Sequence, residues 1–363
     1  MEGPRGCVPG EIGAVVALAN RIFVRAGAGM GRKFPTLFSA ENGEWLRTFW
    51  DGDEPVSLVG VWRAEVLSSF GPLRVAHVGA VGTLPEFRGR GLATALLEDA
   101  FRRLHAEGTS LVFISGGRGL YLRLGARRFG RLWRYRALKG QVPGPGQDLW
   151  AGIVERLTED ELSAVRRLYA GEPVHYLRRE DQWRSLLPAK GYLPPEGGRG
   201  LCVVRRAGRI VAYLLHGSPR RTEAPGSPVR LAVDEFAGER AAVAAALPRL
   251  LEESGAEELD LLVQRSDQEM HALLGALGLV RVAATYSGTV RLLNVGVFLD
   301  VAGRVRPDLL RLRHAAAFDT AEGAEEAAIM TGAAFGGGED AGAEETDGLP
   351  LMEVPRPDGL QFI

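Results

Sequence analysis

A chain of 363 residues is too long for one typical core, and with 46% hydrophobic and 25% charged residues it reads as folded globular protein in two or three domains. A formal net charge of -1 removes the general case for nucleic-acid or anionic-membrane partners, and no apolar run reaches the roughly 18 residues that a membrane span needs. Cys7 and Cys202 are too few and too far apart for a disulfide framework or a metal knuckle, so a reducing cytoplasm is the expected location and no resident metal is expected.

In chain order, periodicity predicts helices over 13–23 and 40–50, the second with Ser39 as N-cap, then strands over 56–66 and 73–83. A helix follows over 92–105, with an apolar stripe of Leu92, Leu96, Leu97, Ala100, Phe101 and Leu104, and Gly108 is placed to end it. A strand over 111–115, a short helix over 120–124 and a strand over 126–137 come next, before a Gly/Pro-rich linker over 140–146.

The junction ahead of the 92–105 helix carries the chemistry. Arg88-Gly89-Arg90-Gly91-Leu92-Ala93 sets two glycines and two arginines where a strand gives way to a helix. A helix N-terminus offers unpaired N–H groups and partial positive charge, and glycines let the backbone approach a phosphate while arginines add charge-assisted donors. The pyrophosphate of coenzyme A suits such a loop; a solvated turn is the plain alternative.

The whole stretch from Val78 to Leu104 resembles motif A of the GNAT superfamily of N-acyltransferases, with Arg88, Gly91 and Ala93 at the defined positions of its pattern [QR]-x-x-G-x-[GA]. The order of predicted elements matches the GNAT fold. The resemblance implies acetyl-CoA as acyl donor, held by Arg88, Gly89, Arg90, Gly91, Leu92 and Ala93, with the pantetheine arm along the main chain of Val81 and Thr83. Tyr121, in Gly119-Leu120-Tyr121-Leu122-Arg123-Leu124-Gly125, resembles the family's Tyr-x-x-x-Gly element, whose tyrosine gives a proton to the leaving thiolate. A core tyrosine is the alternative. Many GNAT proteins carry a glutamate base on the strand before the loop. Here His77 is the only titratable residue in that run, and a lone strand histidine is more often structural.

Beyond the linker much the same order recurs. A capping box, Thr158 to Glu161, opens a helix, a second helix runs near 180–187, and hairpin strands over 201–206 and 209–216 flank Ala207-Gly208. Strand 229–233, helix 239–254, strand 257–263, helix 267–277 and a last strand after Gly278 follow. The counterpart of the phosphate loop, Ala237-Gly238-Glu239-Arg240-Ala241, has a single glycine and a glutamate that would repel phosphate, so this repeat is expected not to bind coenzyme A. The expected fold class is therefore α/β with mixed sheets: a catalytic GNAT domain over 1–140, a degenerate GNAT-like domain over 147–291, and a short region over 292–363.

A helix broken near Arg306-Pro307 opens that last region, and ten carboxylates from Asp319 to Glu353 accumulate among glycines and alanines. They read as a solvated segment, or as a source of negative potential for cationic substrates. A tandem GNAT pair with a C-terminal extension resembles the Eis (enhanced intracellular survival) group, whose third domain is like sterol carrier protein and whose terminal carboxylate enters the first active site. The resemblance implies that role for the carboxylate of Ile363. The apolar, proline-rich ending from Leu349 reads as built to dock, although the region is short for a complete sterol-carrier-like domain.

The leading expectation is an acetyl-CoA-dependent N-acetyltransferase acting on a primary amine, either a small molecule or a lysine side chain, with a homo-oligomer compatible. The alternative is a non-catalytic acyl-CoA-binding module for regulation or protein interaction. A tandem-GNAT ligase using aminoacyl-tRNA is a weaker third reading, because that type usually lacks a good phosphate loop in its first domain. Residues 34–38 with Trp45, Trp50 and Trp62 supply either an acceptor pocket or core packing.

Overall fold

The computed structural model describes residues 1–24, 27, 29–144, 146–221, 224, 226–314, 331, 334–335 and 352–356. Along the chain the first strands are β1 (Glu2–Arg5), β2 (Leu46–Asp51), β3 (Glu54–Ser68), β4 (Gly71–Thr83) and β5 (Leu111–Ile114). They are followed by β6 (Leu132–Leu138), β7 (Leu149–Val154), β8 (His175–Tyr176), β9 (Gly200–Arg206) and β10 (Arg209–His216). The last are β11 (Arg220–Arg221), β12 (Val229–Gly238), β13 (Glu258–Gln264), β14 (Arg281–Ala284) and β15 (Thr289–Leu292). The helices are α1 (Ile12–Phe23), α2 (Met30–Lys33), α3 (Leu92–Ala106), α4 (Gly119–Arg123) and α5 (Glu159–Ala170), then α6 (Glu180–Ala189), α7 (Arg240–Ser254), α8 (Gln268–Ala276) and α9 (Val295–Ala302).

Two compact units result, and both are discontinuous in sequence. One gathers Met1–Gly130, Tyr176–Ala189 and Tyr286–Ile363; the other gathers Arg131–His175 and Lys190–Thr285. These units cut across the contiguous stretches 1–140, 147–291 and 292–363. The cause lies in strand order: the first sheet runs β1-β2-β3-β4-β5-β15 and the second β14-β6-β13-β12-β10-β9-β7. Strand β6, which the sequence assigned to the first domain, pairs along its full length with β13, from Glu258↔Leu138 to Gln264↔Leu132. The first sheet is instead closed by β15, antiparallel to β5 with Thr289 opposite Ile114 and Leu292 opposite Leu111. An alternating strand advertises its buried face, never its partner.

Within the first unit, α3 lays Leu92, Leu96, Leu97, Ala100, Phe101 and Leu104 into the core, each fully buried aliphatic or aromatic side chain contributing about 1.5–3 kcal/mol. A buried ion pair fixes the helix to the sheet, since Arg47 on β2 donates from Nε (2.7 Å) and from a terminal nitrogen (2.6 Å) to Asp99 of α3. Arg103 and Arg102 also reach Asp99, at 3.3 and 3.5 Å, and Glu44 reaches Arg47 at 3.2 Å, so the pair is the centre of a small charge network. The expected helix over 40–50 is corrected. Ser39 caps a short 3-10 turn over Ala40–Trp45, accepting from the Asn42 N–H at 3.2 Å, but Leu46–Asp51 then extends as β2. Leu-Arg-Thr-Phe-Trp is rich in strand formers, and pairing with β1 on one side and β3 on the other outweighs the helical continuation.

The C-terminal region also joins this unit. Met352–Arg356 reaches the β3–β4 turn, where Ser69 N–H donates to Glu353 O (3.0 Å) and Glu353 N–H donates to Ser69 Oγ (2.7 Å). Tyr286 Oη donates to Val354 O at 2.8 Å. Ile363 and most of the acidic run lie outside the described residues. Glu353 is described, and it is buried rather than solvated.

Candidate active site

The site starts from a fault in β4. Its ladder with β3 runs regularly from Ser68↔Gly71 to Gly60↔Gly79 and resumes at Leu58↔Gly82, so one residue of β3 faces two of β4. Ala80 takes φ 50°, a left-handed value that costs a residue with a Cβ about 1 kcal/mol or more. On its other side β4 runs parallel to β5 only from Val75↔Leu111 to Val78↔Ile114, with one further bond from Ser115 N–H to Val78 O at 3.1 Å. Past that point β5 ends, and among the described residues no strand pairs with Ala80 to Thr83 on that side.

This stretch of β4 is braced from behind. Ser57 Oγ lies 2.8 Å from Thr83 Oγ1, and Arg88 Nε donates to Thr83 O at 3.1 Å. Gly82 sits against α1, where a Cβ would come within 2.9 Å of Ile22. The chain then turns through a short 3-10 segment, Pro85–Phe87, into Gly89 and Gly91 at φ 76° and 75°. Both values favour glycine, and a Cβ built on either glycine meets nothing within 4 Å. Gly91 is the N-cap of α3 and has no side chain to occupy the first N–H groups of the helix. Arg90 stacks on Phe87, 5.0 Å from the ring centroid. Those features fit a pyrophosphate on geometric grounds: open space in front of two glycines, uncapped helical N–H groups behind it, and two arginines at its rim.

β5 leads into Ser115-Gly116-Gly117-Arg118, and α4 begins. Tyr121 is buried, its ring edge 3.4 Å from where a Gly116 Cβ would stand. Burial raises the pKa of its phenol above the ordinary 10, and the Arg118 charge opposes that rise.

Residues 10–129 match the family model of the acetyltransferase (GNAT) domain. The chain carries a GNAT acetyltransferase domain. Acyl transfer is accordingly the activity class of this enzyme. No curated protein matches the chain, whereas solved structures share its fold at low identity. A probable N-acyltransferase of Enterococcus faecalis V583 is 14% identical, with a TM-score of 0.62 over 82% of this chain and 74% of that one. A GCN5-related N-acetyltransferase from Anabaena variabilis ATCC 29413 is 13% identical, with a TM-score of 0.60 and the same coverage. Eis1 from Mycobacterium abscessus is 16% identical, with a TM-score of 0.58 over 81% of this chain and 74% of that one.

In the GNAT domain, Val81 and Thr83 lie on the last stretch of β4 and the Arg88 to Ala93 loop is joined to it through the Arg88–Thr83 hydrogen bond, while Tyr121 lies on α4 after β5. His77 is of another kind. It is buried among Trp62, Phe113 and Tyr176, with ring centroids 5.8, 5.4 and 5.4 Å away, and its Nε2 has no hydrogen-bond partner. Burial lowers its imidazole from 6.5 to about 3, too weak a base for an ammonium proton. Its role is packing.

Of the aromatics considered for an acceptor pocket, Trp62 lines a cavity of about 540 Å³ together with Pro35, Thr36, Ser39, Arg63 and Arg179. Trp45 and Trp50 are core residues, stacked by Arg63 and Arg5. Trp62 pairs with His77, before the bulge, so this cavity is set back from the last residues of β4.

The second unit treats its corresponding helix start differently, and sequence reasoning missed the residue responsible. Glu172, just past α5, accepts from Gly238 N–H at 3.0 Å and from both terminal nitrogens of Arg240 at 2.8 and 2.6 Å. Asp267 takes Arg240 Nε at 2.8 Å. Burial works against the Arg240 cation, but Glu172 and Asp267 outweigh it and hold the guanidinium protonated. Glu239, expected to repel phosphate, is paired with Arg206 at 2.5 Å. Gly238 has no spare room either, since a Cβ there would come within 2.3 Å of Val211 O. Only the acid's spacing from the helix start is written in the sequence, and 68 residues is beyond the reach of any local pattern.

Proposed function

We propose that the protein transfers an acetyl group from acetyl-CoA to a primary amine. The observation that carries this reading is that the pairing of β4 with β5 stops at Val78↔Ile114, leaving the last residues of β4 without a strand on that side just ahead of a glycine-lined, uncapped start of α3. An extended pantetheine arm needs a strand with unspent main-chain groups, and its pyrophosphate needs N–H donors one short turn further on. Val81 and Thr83 would serve the first need, with Arg88 giving up its hydrogen bond to Thr83 O, and Arg88 to Ala93 the second.

The acceptor nitrogen bonds the acetyl carbon while the carbon–sulfur bond breaks, and the ammonium loses a proton around the attack. Tyr121 is the group we assign to the departing sulfur: its phenol proton passes to the thiolate and is regained from solvent. The carboxylate of Ile363 is our proposal for anchoring the cationic amine, and the described Met352–Arg356 segment, packed in the same unit, leads toward it. The second unit would take no coenzyme A, because the place of a pyrophosphate is held by Glu172.

Release of free thiol from acetyl-CoA, measured across a panel of primary amines, tests the reading. Turnover on any member sustains it. Saturable acetyl-CoA binding with no turnover on all of them would instead make the protein an acyl-CoA-binding module.

A further inference from the structure

The segment that carries Tyr121 is held at both ends by a strand from much later in the chain. After β5, residues 115–127 leave the first sheet and come back to it, with α4 in between, and each end of this excursion rests on β15. At the first end Thr289 Oγ1 donates to Gly116 O at 2.9 Å. At the second, Arg127 and Val290 exchange N–H···O bonds of 2.8 Å in each direction. Thr289 and Val290 are fully buried, and Gly288, at φ 82°, passes so close that a Cβ on it would stand 2.2 Å from Ile114 O. The GNAT-domain match ends at residue 129, so this clasp is supplied from outside it.

The hydroxyl of Thr289 acts where the ladder stops. Its residue pairs with Ile114, the last of β5, and the side chain then fixes a carbonyl two residues further on. Packing alone does not ask for a hydroxyl: valine has the same shape and suits a buried strand, and burying a hydroxyl costs free energy that its hydrogen bond offsets. The peptide it fixes belongs to the residue against which Tyr121 lies. A Cβ on Gly116 would be 3.4 Å from Tyr121 Cε2, the ring carbon next to the one that bears the oxygen. In a close-packed interior, movement of that peptide is passed to the reacting end of the ring.

We propose that Thr289 is a positioning residue for acetyl transfer, acting through the Gly116 peptide to hold the Tyr121 phenol in register with the leaving sulfur. The proposal rests on the acetyl-CoA reading above and on Tyr121 as proton donor. It assigns Thr289 to turnover and leaves donor binding to β4 and the loop before α3.

Thr289→Val removes the hydroxyl and keeps the shape, while Thr289→Ser keeps the hydroxyl. Both are compared with the wild-type chain in steady-state kinetics with acetyl-CoA and an amine that the wild type acetylates. Thr289→Val should lose about 10-fold in kcat, less than the 10²-fold that a misplacement of about 1 Å can cost, with acetyl-CoA affinity by calorimetry unchanged. Thr289→Ser should stay close to the wild type. In a Tyr121→Phe background Thr289→Val should cost little more, because the phenol it positions is already gone. Should Thr289→Val not fold, Thr289→Ala makes the same comparison with Thr289→Ser. Wild-type kcat in the variant without the hydroxyl would overturn the proposal, as would an equal loss in Thr289→Ser or in the Tyr121→Phe background. Weakened acetyl-CoA binding would overturn it too, by making Thr289 a support of the donor site. A wild-type chain that acetylates no amine would remove the acetyl-transfer reading and this proposal with it, whereas the other adverse outcomes remove the proposal alone.

Discussion

His77 makes a quantitative test of the buried face of the first sheet. Burial lowers its imidazole to about 3, whereas the same ring in the unfolded chain takes a proton below about pH 6.5. Between those values the unfolded state binds a proton that the folded state refuses, so stability falls as the pH is lowered through this window. At 1.36 kcal/mol per pH unit, the loss from this residue alone is about 2 kcal/mol at pH 5, a large part of the margin of an ordinary domain. Replacing His77 with leucine, which keeps the site apolar among Trp62, Phe113 and Tyr176, removes the titration. Urea unfolding at pH 7.5 and pH 5.0 gives two stabilities for each protein, and their difference cancels whatever the new side chain costs in packing. The wild-type chain should lose about 2 kcal/mol more than His77→Leu over that interval. The same variant should keep its kcat within a few-fold. An identical acid loss in both proteins would mean that His77 is not enclosed and neutral, and a collapse of activity would restore it as a base.

Three further outcomes test the site. Gly91→Glu should abolish acetyl-CoA binding by calorimetry, because it sets a carboxylate where the pyrophosphate sits, while left-handed strain costs only about 1–2 kcal/mol of stability; unchanged affinity would dismiss the phosphate loop. Tyr121→Phe should lower kcat by about 10²–10³-fold with little change in acetyl-CoA affinity, and wild-type turnover would leave the ring a packing role only. Deleting Phe362 and Ile363 should sharply reduce kcat/KM for amines while acetyl-CoA still binds, and parental rates would free the Ile363 carboxylate of any part in acceptor binding.

How much of this was legible in the sequence depended on distance along the chain. The α3 stripe, the Ser39 cap and the paired glycines before α3 are local, so their geometry follows from residues a few positions apart. The helix expected over 40–50 failed because Leu46–Asp51 takes its conformation from β1 and β3, which the segment itself does not encode. Glu172 was invisible for a like reason: nothing at Gly238 or Arg240 announces a carboxylate 66 or 68 residues upstream. The β4 bulge was equally hidden, since Ala80 adopts a backbone angle that its side chain disfavours and only its neighbours enforce.

The exchange of β6 and β15 between the two sheets has a consequence for how the protein is made. When β5 leaves the ribosome its outer edge has no partner, and the strand that covers it arrives roughly 175 residues later. At about 5–20 residues per second, that edge stands open for roughly 10–35 s of synthesis. During that time β6, already extended, must wait for β13 rather than pair with the nearer unpaired edge. An open strand edge is a template for joining another chain, so the nascent protein carries an aggregation hazard in mid-translation, after the Arg88 to Ala93 loop has been made and before β15 arrives to cover β5. A genetic separation at the 140–146 linker would make that interval permanent: the catalytic half would be released with β5 bare, and co-expression of the remainder, not chaperone supply alone, is what would be needed to close it.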